Sequence, residues 1–400
     1  MNKSIENESY ELTQDQQKAL ELVSTGKNIF ISGGAGVGKS TLIKDIEMRF
    51  LLQGKKVLIM APTGIAAYNI GGKTIHSALR CAYSFKFDEV DIIQMVERLK
   101  DFRVWIIDEI SMVKTQLLKL IYRYIEQCGY KIQLIVSGDF YQLPPVKSEY
   151  VFLSNEWWEL DFQYCDLNEV VRQNDAELIE NLNKARVGDA SCLPYFIDNA
   201  SKEELPNFPY LCAYKRDMNQ INRKKLSELP GPIKTYRAKY SERIIESEFS
   251  GTLKLPIKKG MRVISIINDK EQRYYNGAAG MVLEMDEDTV LVKFDNGYTV
   301  RFGYHAFNVR CANGDYDVAV YQIPLVPAYA LTIHRSQGMT LEGANIVATK
   351  CFADGQFYVA ISRVKNVKNI YFKDGISASC LKYSRKVKAF YSRIAERIAC

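Results

Sequence analysis

No two of the nine cysteines in this 400-residue chain stand at C-x-x-C spacing, and the count is odd. A zinc cluster and a disulfide framework are both disfavoured, so reduced thiols in a cytoplasmic protein are expected. Long apolar runs are missing as well. Nothing approaches the roughly 18 consecutive apolar residues of a membrane span, and the opening MNKSIENESYELTQDQQ has no apolar core of signal-peptide length. Neither a membrane nor an export route is expected. Charge of one sign is lacking too: 53 Lys and Arg face 47 Asp and Glu, a net +6. That balance is compatible with a polyanionic partner but does not require one, since a solvated surface slightly rich in Lys reads the same. There is no internal repeat and no low-complexity tract.

What is present is a large apolar fraction, 47%, enough for more than one core. At about 150 residues per domain, two or three domains are expected. Four short, nearly continuous apolar runs mark the first 150 residues: NIFISGG (28–34), KVLIMAPT (56–63), RVWIIDEIS (103–111) and IQLIVSGDF (132–140). Strands buried on both faces of a parallel sheet have this texture. Helical patterns lie between them, at 40–53 and 113–127, so the first domain (1–165) reads as α/β. The segment 80–100 interrupts the alternation as a short insertion. A second α/β pattern fills 166–256 and 321–400, with strand-like YLCAYKRD (210–217), ANIVAT (344–349) and NIYF (369–372). Between them, 257–320 has short alternating strands and the turn signals Asn276-Gly277 and Asp295-Asn296-Gly297. This reads as a small inserted β-barrel, with a decorated sheet edge as the alternative. The tail 378–400 reads as a basic helix.

The chemistry begins at Gly33-Gly34-Ala35-Gly36-Val37-Gly38-Lys39-Ser40, which fits G-x-x-x-x-G-K-[ST] between a strand and a helix. Glycines let backbone N–H groups curl around a phosphate, and the helix N-terminus adds partial positive charge. Lys39 can reach the β- and γ-phosphates of ATP and the Ser40 hydroxyl can ligate Mg²⁺. With Thr41, this run is the candidate nucleotide-binding set. Trp105-Ile106-Ile107-Asp108-Glu109 ends an apolar strand in two carboxylates. Asp108 suits the metal and Glu109 suits a base that polarises water, although an acid at a helix start would look similar. These two motifs imply a nucleotide hydrolase without saying what the energy drives.

Six further stretches narrow that. They are APTGIAA (61–67), GGKTIHS (71–77), SGDFYQLPPV (137–146), NEVVRQ (168–173), ALTIHRSQG (330–338) and YVAISR (358–363). In this order, from about Leu12 to about Phe372, they resemble superfamily-one helicases of the B type. The likeness is greatest to the PIF (petite integration frequency) helicases, with the phage Dda and bacterial RecD helicases more distant.

The resemblance implies a P-loop NTPase fold of two RecA-like domains with ATP and Mg²⁺ between them. It implies a motor that moves 5′→3′ on single-stranded DNA and unwinds forked or tailed duplex. On the family pattern Gln16 contacts adenine, Gln142 senses the γ-phosphate, and Arg172 and Arg363 reach across the cleft as arginine fingers. Arg172 pairing on the surface with Glu169 or Asp175 is the plainer alternative. Thr63, His76, Thr332, His334 and Ser336 fall where the family contacts the strand, although either histidine alone would read as structural. Tyr83, Phe85 and Phe87 lie where a strand-separating wedge is expected, and a local hydrophobic cluster would look the same. Tyr329 stands where many relatives carry Trp. The near absence of an N-terminal extension suggests a compact bacterial or viral member, and the short insertion makes translocation more secure than strong unwinding; a monomer is expected, with single-strand-binding proteins as candidate helpers. A translocase that displaces bound proteins but unwinds weakly is the rival within the class. A nucleotide kinase is the rival outside it, and it would have no need of the TIHRSQG and AISR motifs.

Overall fold

The computed structural model describes residues 12–81, 91–169, 176–246, 249–269, 271, 273–313 and 317–399. Its first lobe is built on six parallel strands: β1 (Ile29–Gly33), β2 (Lys56–Ala61), β3 (Lys73–Thr74), β4 (Phe102–Ile107), β5 (Gln133–Gly138) and β6 (Gln163–Leu167). Their order across the sheet is β3-β2-β4-β5-β1-β6. The four apolar runs of the sequence become β1, β2, β4 and β5. Every residue of β1 and β5 is buried, as helices on both faces of a parallel sheet require. One face packs Phe30, Trp105, Tyr124 and Phe140. The other packs Ile31, Ile43, Ile46 and Ile106 under the helix Lys39–Leu52.

The second lobe has four parallel strands in the order Ala330–Thr332, Tyr210–Cys212, Ala344–Val347 and Ile370–Phe372. Between the second and first of these, antiparallel strands occupy Lys234 to Pro327, on both sides of the 257–320 window expected from turn signals. Five of them form one sheet, joined by the ribbons Lys234–Arg237 with Lys254–Ile257 and His305–Arg310 with Asp317–Gln322. This β unit has its own core of Leu255, Val263, Val292, Phe294 and Phe302.

The C-terminal helix, Arg385–Ala399, follows the second lobe in the chain but packs on the first. Val387, Phe390 and Ile394 enter the core that holds Phe30 and Trp157. Phe390 lies 4.3 Å from the Phe152 ring in a stacked pair and 5.3 Å from Phe140. In the other direction, Leu143 of the first lobe's QLPP turn packs in the second lobe's core beside Leu178 and Phe357. The two lobes therefore exchange apolar anchors. Among the described residues no helix is long and apolar enough to cross a membrane.

Candidate nucleotide site and its DNA-facing rim

The C-terminal ends of β1, β4 and β5 point to one edge of the first sheet, where ligands of parallel α/β folds collect. The loop after β1 turns into the helix Lys39–Leu52 through Gly38, whose φ of +79° is a left-handed conformation that a Cβ would strain. Ala35 to Thr41 line a cavity of about 540 Å³, with Asp108, Glu109 and Gln142 on the same side. Gly33 and Gly34 turn their carbonyls inward, and each accepts a 2.7 Å hydrogen bond from Lys39 Nζ. Burial lowers the Lys39 pKa, while the carboxylates of Asp139, Glu109 and Asp108 pull it back up. That is a cation held ready for a polyanion.

Asp108 is buried, and burial together with the Glu109 charge pushes its carboxyl up to about 6. Glu109 sits at φ +52°, a left-handed position rare for a residue with a side chain, which turns the chain sharply off the strand end. Asp108 and Ser40 offer oxygen donors to the same cavity. Among the described residues no group of three or more His, Cys, Asp or Glu could hold a metal. A hard cation that keeps its waters, takes one or two protein oxygens and is otherwise bound by phosphate suits this donor set, which is how Mg²⁺ binds.

The second lobe closes the cavity with Gly338, Met339, Thr340, Ser362 and Arg363, and the β unit adds Tyr275, Gly277 and Asn296. Arg363 is buried, which lowers its pKa against the opposing pull of Glu109. Its guanidinium donates to Val359 O at 3.0 Å, Met339 O at 3.2 Å and Ser362 Oγ at 2.9 Å. Next to it, the Tyr358 hydroxyl accepts from Ala35 N–H at 2.8 Å and donates to Asp139 Oδ2 at 3.2 Å. Arg186 grips Asp139 with both Nε and Nη2, at 3.0 to 3.1 Å. Burial works against the Arg186 charge, yet Asp139 holds its pKa well above the ordinary arginine value. Gly355, at φ +71°, lets this part of the second lobe lie on the first, because a Cβ there would stand 2.2 Å from Tyr141 O.

Gln16 is buried and is not among the residues that line this cavity. Its Oε1 accepts from Thr13 N–H at 3.1 Å in a capping box that starts the helix Gln14–Ser24. Arg172, Tyr83, Phe85 and Phe87 lie outside the described residues. Thr63 and Thr332 occupy matching places in the two lobes. Each ends a parallel strand or the turn after it, and each caps a short helix, Gly64–Asn69 and Ile333–Ser336. His76 is buried, and burial reinforced by Lys114 lowers its pKa to about 4. His334 is also shifted down, by burial and then Lys215, and stacks 5.6 Å from the exposed Phe352 ring. Ser336 is fully buried and its hydroxyl donates to Ile333 O at 2.9 Å, so it is turned away from the surface.

Comparison with known proteins fits this geometry. The AAA domain family matches residues 11–202. An ATP-dependent DNA helicase Pif1 from Campylobacter jejuni is 30% identical over 94% of this chain and 96% of its own length. The chain belongs to the Pif1 helicase family. A chain from a structure of two coordinating Pif1 helicases unwinding forked duplex DNA superposes with a TM-score of 0.86 at 29% identity, covering 97% of this chain and 98% of that one. Bacteroides Pif1 bound to ADP-AlF3 and single-stranded DNA gives 0.83 at 28% identity, with the same coverage.

The expected α/β fold with RecA-like lobes is thus that of the Pif1 helicases. Within this Pif1-family chain, Asp139, Arg186, Tyr358 and Gln337 stand at the seam although the motif reading gave none of them a role. Asp139, Tyr358 and Gln337 lie inside stretches that were singled out. Arg186 lies in the helix Ala176–Arg186, which carries no motif, so no local signal marked it.

Proposed function

We propose that this chain is an ATP-driven DNA helicase that moves 5′→3′ along single-stranded DNA and separates duplex ahead of it. The observation that carries the reading is convergence. Lys39, Glu109 and Gln142 of one lobe and Arg363 of the other face a single cavity at the seam. In this reading the first lobe runs through β6 and carries the C-terminal helix Arg385–Ala399, the segments on either side of the β unit form the second lobe, and the β unit, from Lys234 to Pro327, stands beside the seam. The 5′→3′ sense rests on the family resemblance, and a soluble monomer is the working form.

Lys39 and the loop N–H groups would bind the β- and γ-phosphates, and Ser40 with Asp108 would hold Mg²⁺, which neutralises charge on the phosphate oxygens. Glu109 takes a proton from the attacking water and Gln142 orients beside the γ-phosphate. Arg363, with Arg172, supplies positive charge from the second lobe to the transferring phosphoryl group, so hydrolysis depends on a closed seam. Thr63 and Thr332 offer hydroxyls to the phosphates of a strand lying across both lobes. His76 and His334, neutral near pH 7 by their lowered pKa values, would bond as neutral imidazoles. Opening and closing of the seam then changes the spacing of the two strand contacts.

The test pairs ATP hydrolysis, with and without single-stranded DNA, with unwinding of duplexes bearing a 5′ or a 3′ tail. The reading predicts DNA-stimulated hydrolysis and unwinding from 5′ tails. Hydrolysis indifferent to DNA ends the motor reading, and unwinding from 3′ tails alone reverses the polarity. Stimulation without unwinding makes the chain a translocase.

A further inference from the structure

A second cavity lies away from the nucleotide. It opens at the start of β6, at the end of the first sheet opposite the strand ends that carry Lys39 and Glu109, and its volume is about 330 Å³. Phe30, Trp157, Phe162 and Tyr164 of the first lobe and Ile394 of the C-terminal helix give it an aromatic, apolar lining, and Arg397 stands at its lip. The rings brace one another, with Trp157 4.6 Å from Phe162 and 5.3 Å from Phe30. A cavity this small, at the low end for ligand pockets, suits one large apolar side chain. The Trp158 indole forms the adjoining wall and is fixed by its Nε1–H, which donates to Phe152 O at 3.0 Å. Two guanidiniums about one helical turn apart lie over that ring, Arg393 at 4.1 Å and Arg397 at 4.8 Å. Both are exposed, and neither pairs with a carboxylate among the described residues.

A guanidinium resting on an aromatic ring keeps its N–H groups free at its edge, and that edge matches a carboxylate. The surrounding charge has the same sign: the last helix sets Arg385, Lys386, Lys388, Arg393 and Arg397 against Glu396. Asp161 is the acid of the lining, so negative charge on a ligand belongs on the helix side of the mouth. β6, which lends Gln163 and Tyr164 to the cavity, is the last strand of its sheet and pairs only with β1 among the described residues. Such an edge can accept an extended chain. We propose that this cavity docks an acidic peptide segment of a partner protein. One large apolar side chain fills the aromatic pocket, and neighbouring carboxylates bond Arg393 and Arg397. A nucleic acid strand also carries anions, but an edge strand beside the pocket suits a peptide backbone, and the site lies at the opposite end of the sheet from the turn that holds Thr63. It shares no lining residue with the nucleotide cavity, so a docked partner is carried by the protein without covering ATP.

The probe is a fluorescein-labelled hexapeptide of three aspartates followed by glycine, leucine and phenylalanine, titrated with the full chain and followed by anisotropy. Two further peptides replace the aspartates by asparagine or the phenylalanine by alanine, and a double variant combines Arg393→Glu with Arg397→Glu. The expected result is saturable binding of the acidic peptide by the wild type. Either peptide change and the double variant should each weaken it by about tenfold or more, the loss of charge-assisted bonds or of the pocket's occupant. ATP hydrolysis and melting temperature of the double variant should stay close to wild type, because both arginines are exposed and stand apart from the nucleotide cavity. The peptide changes leave the protein untouched, so they decide the matter even for a variant that melts early. No saturable binding by the wild type overturns the inference, as does equal binding of the acidic and asparagine peptides. Wild-type affinity in a folded double variant overturns it too. Displacement of the peptide by an equal concentration of oligothymidylate also overturns it, because the cavity then belongs to nucleic acid.

Discussion

Lys39 and Glu109 face the same cavity with opposite charges, and their variants should part binding from chemistry. Lys39→Ala removes a partly buried cation whose bonds to Gly33 O and Gly34 O hold it under the phosphate loop. Both nucleotide binding and turnover should collapse. Glu109→Gln keeps the size and removes the base, so ATP affinity should persist while turnover falls by about 10²–10⁴. Equilibrium binding of a fluorescent ATP analogue alongside phosphate release checks the pair, and an active Glu109→Gln enzyme would show that the base is another group. These residues were legible because phosphate chemistry demands them at fixed spacing beside strand ends. Gln16 shows the limit at this scale. Thr13-x-x-Gln16 is also a capping box, and in the described structure the amide oxygen serves the helix. A single side chain can satisfy two motifs at once, since its amide oxygen caps the helix while its NH2 is a separate donor.

At the scale of elements, strands buried on both faces were the easiest to see, since β1, β2, β4 and β5 are nearly continuous apolar runs. The two-residue β3 and the half-buried β6 were not, because neither is long or apolar enough to stand out. The last helix was visible as a basic helical stretch, but its partner was not. Nothing in Arg385–Ala399 says that Phe390 will lie among Phe140, Phe152 and Trp157 of the opposite lobe. Packing over such sequence separation is decided by the assembled surface. The Tyr391 hydroxyl, which accepts from Phe140 N–H at 3.2 Å and Ser32 Oγ at 3.1 Å, ties the same helix to the ends of β1 and β5. By contrast the exposed Lys386–Glu149 pair, at 2.9 Å, adds little. Phe390→Ala should therefore destabilise the protein by about 3–5 kcal/mol through an aromatic cavity, read by denaturant unfolding. Lys386→Ala should change stability by less than about 1 kcal/mol.

For the whole molecule, the two sheets were legible from alternating texture and the seam between them was not. The motifs said which residues share a nucleotide, but not that Arg186 would clamp Asp139 or that the Tyr358 hydroxyl would meet the phosphate loop at Ala35. Such contacts follow from how two lobes dock, a property no local pattern encodes. They also make the seam a single electrostatic unit, in which Lys39, Arg186 and Arg363 each feel the charge of Asp139. The account stands on hydrolysis needing both sides of that seam. The most direct test is Arg363→Ala, with ATP affinity and turnover measured at saturating single-stranded DNA and folding checked by thermal melting. A folded variant that binds ATP but turns over about a thousandfold or more slowly is the predicted result, the loss expected when a charge facing the transferring phosphoryl group is removed. A folded variant that hydrolyses ATP at the wild-type rate would contradict a site shared between the two lobes.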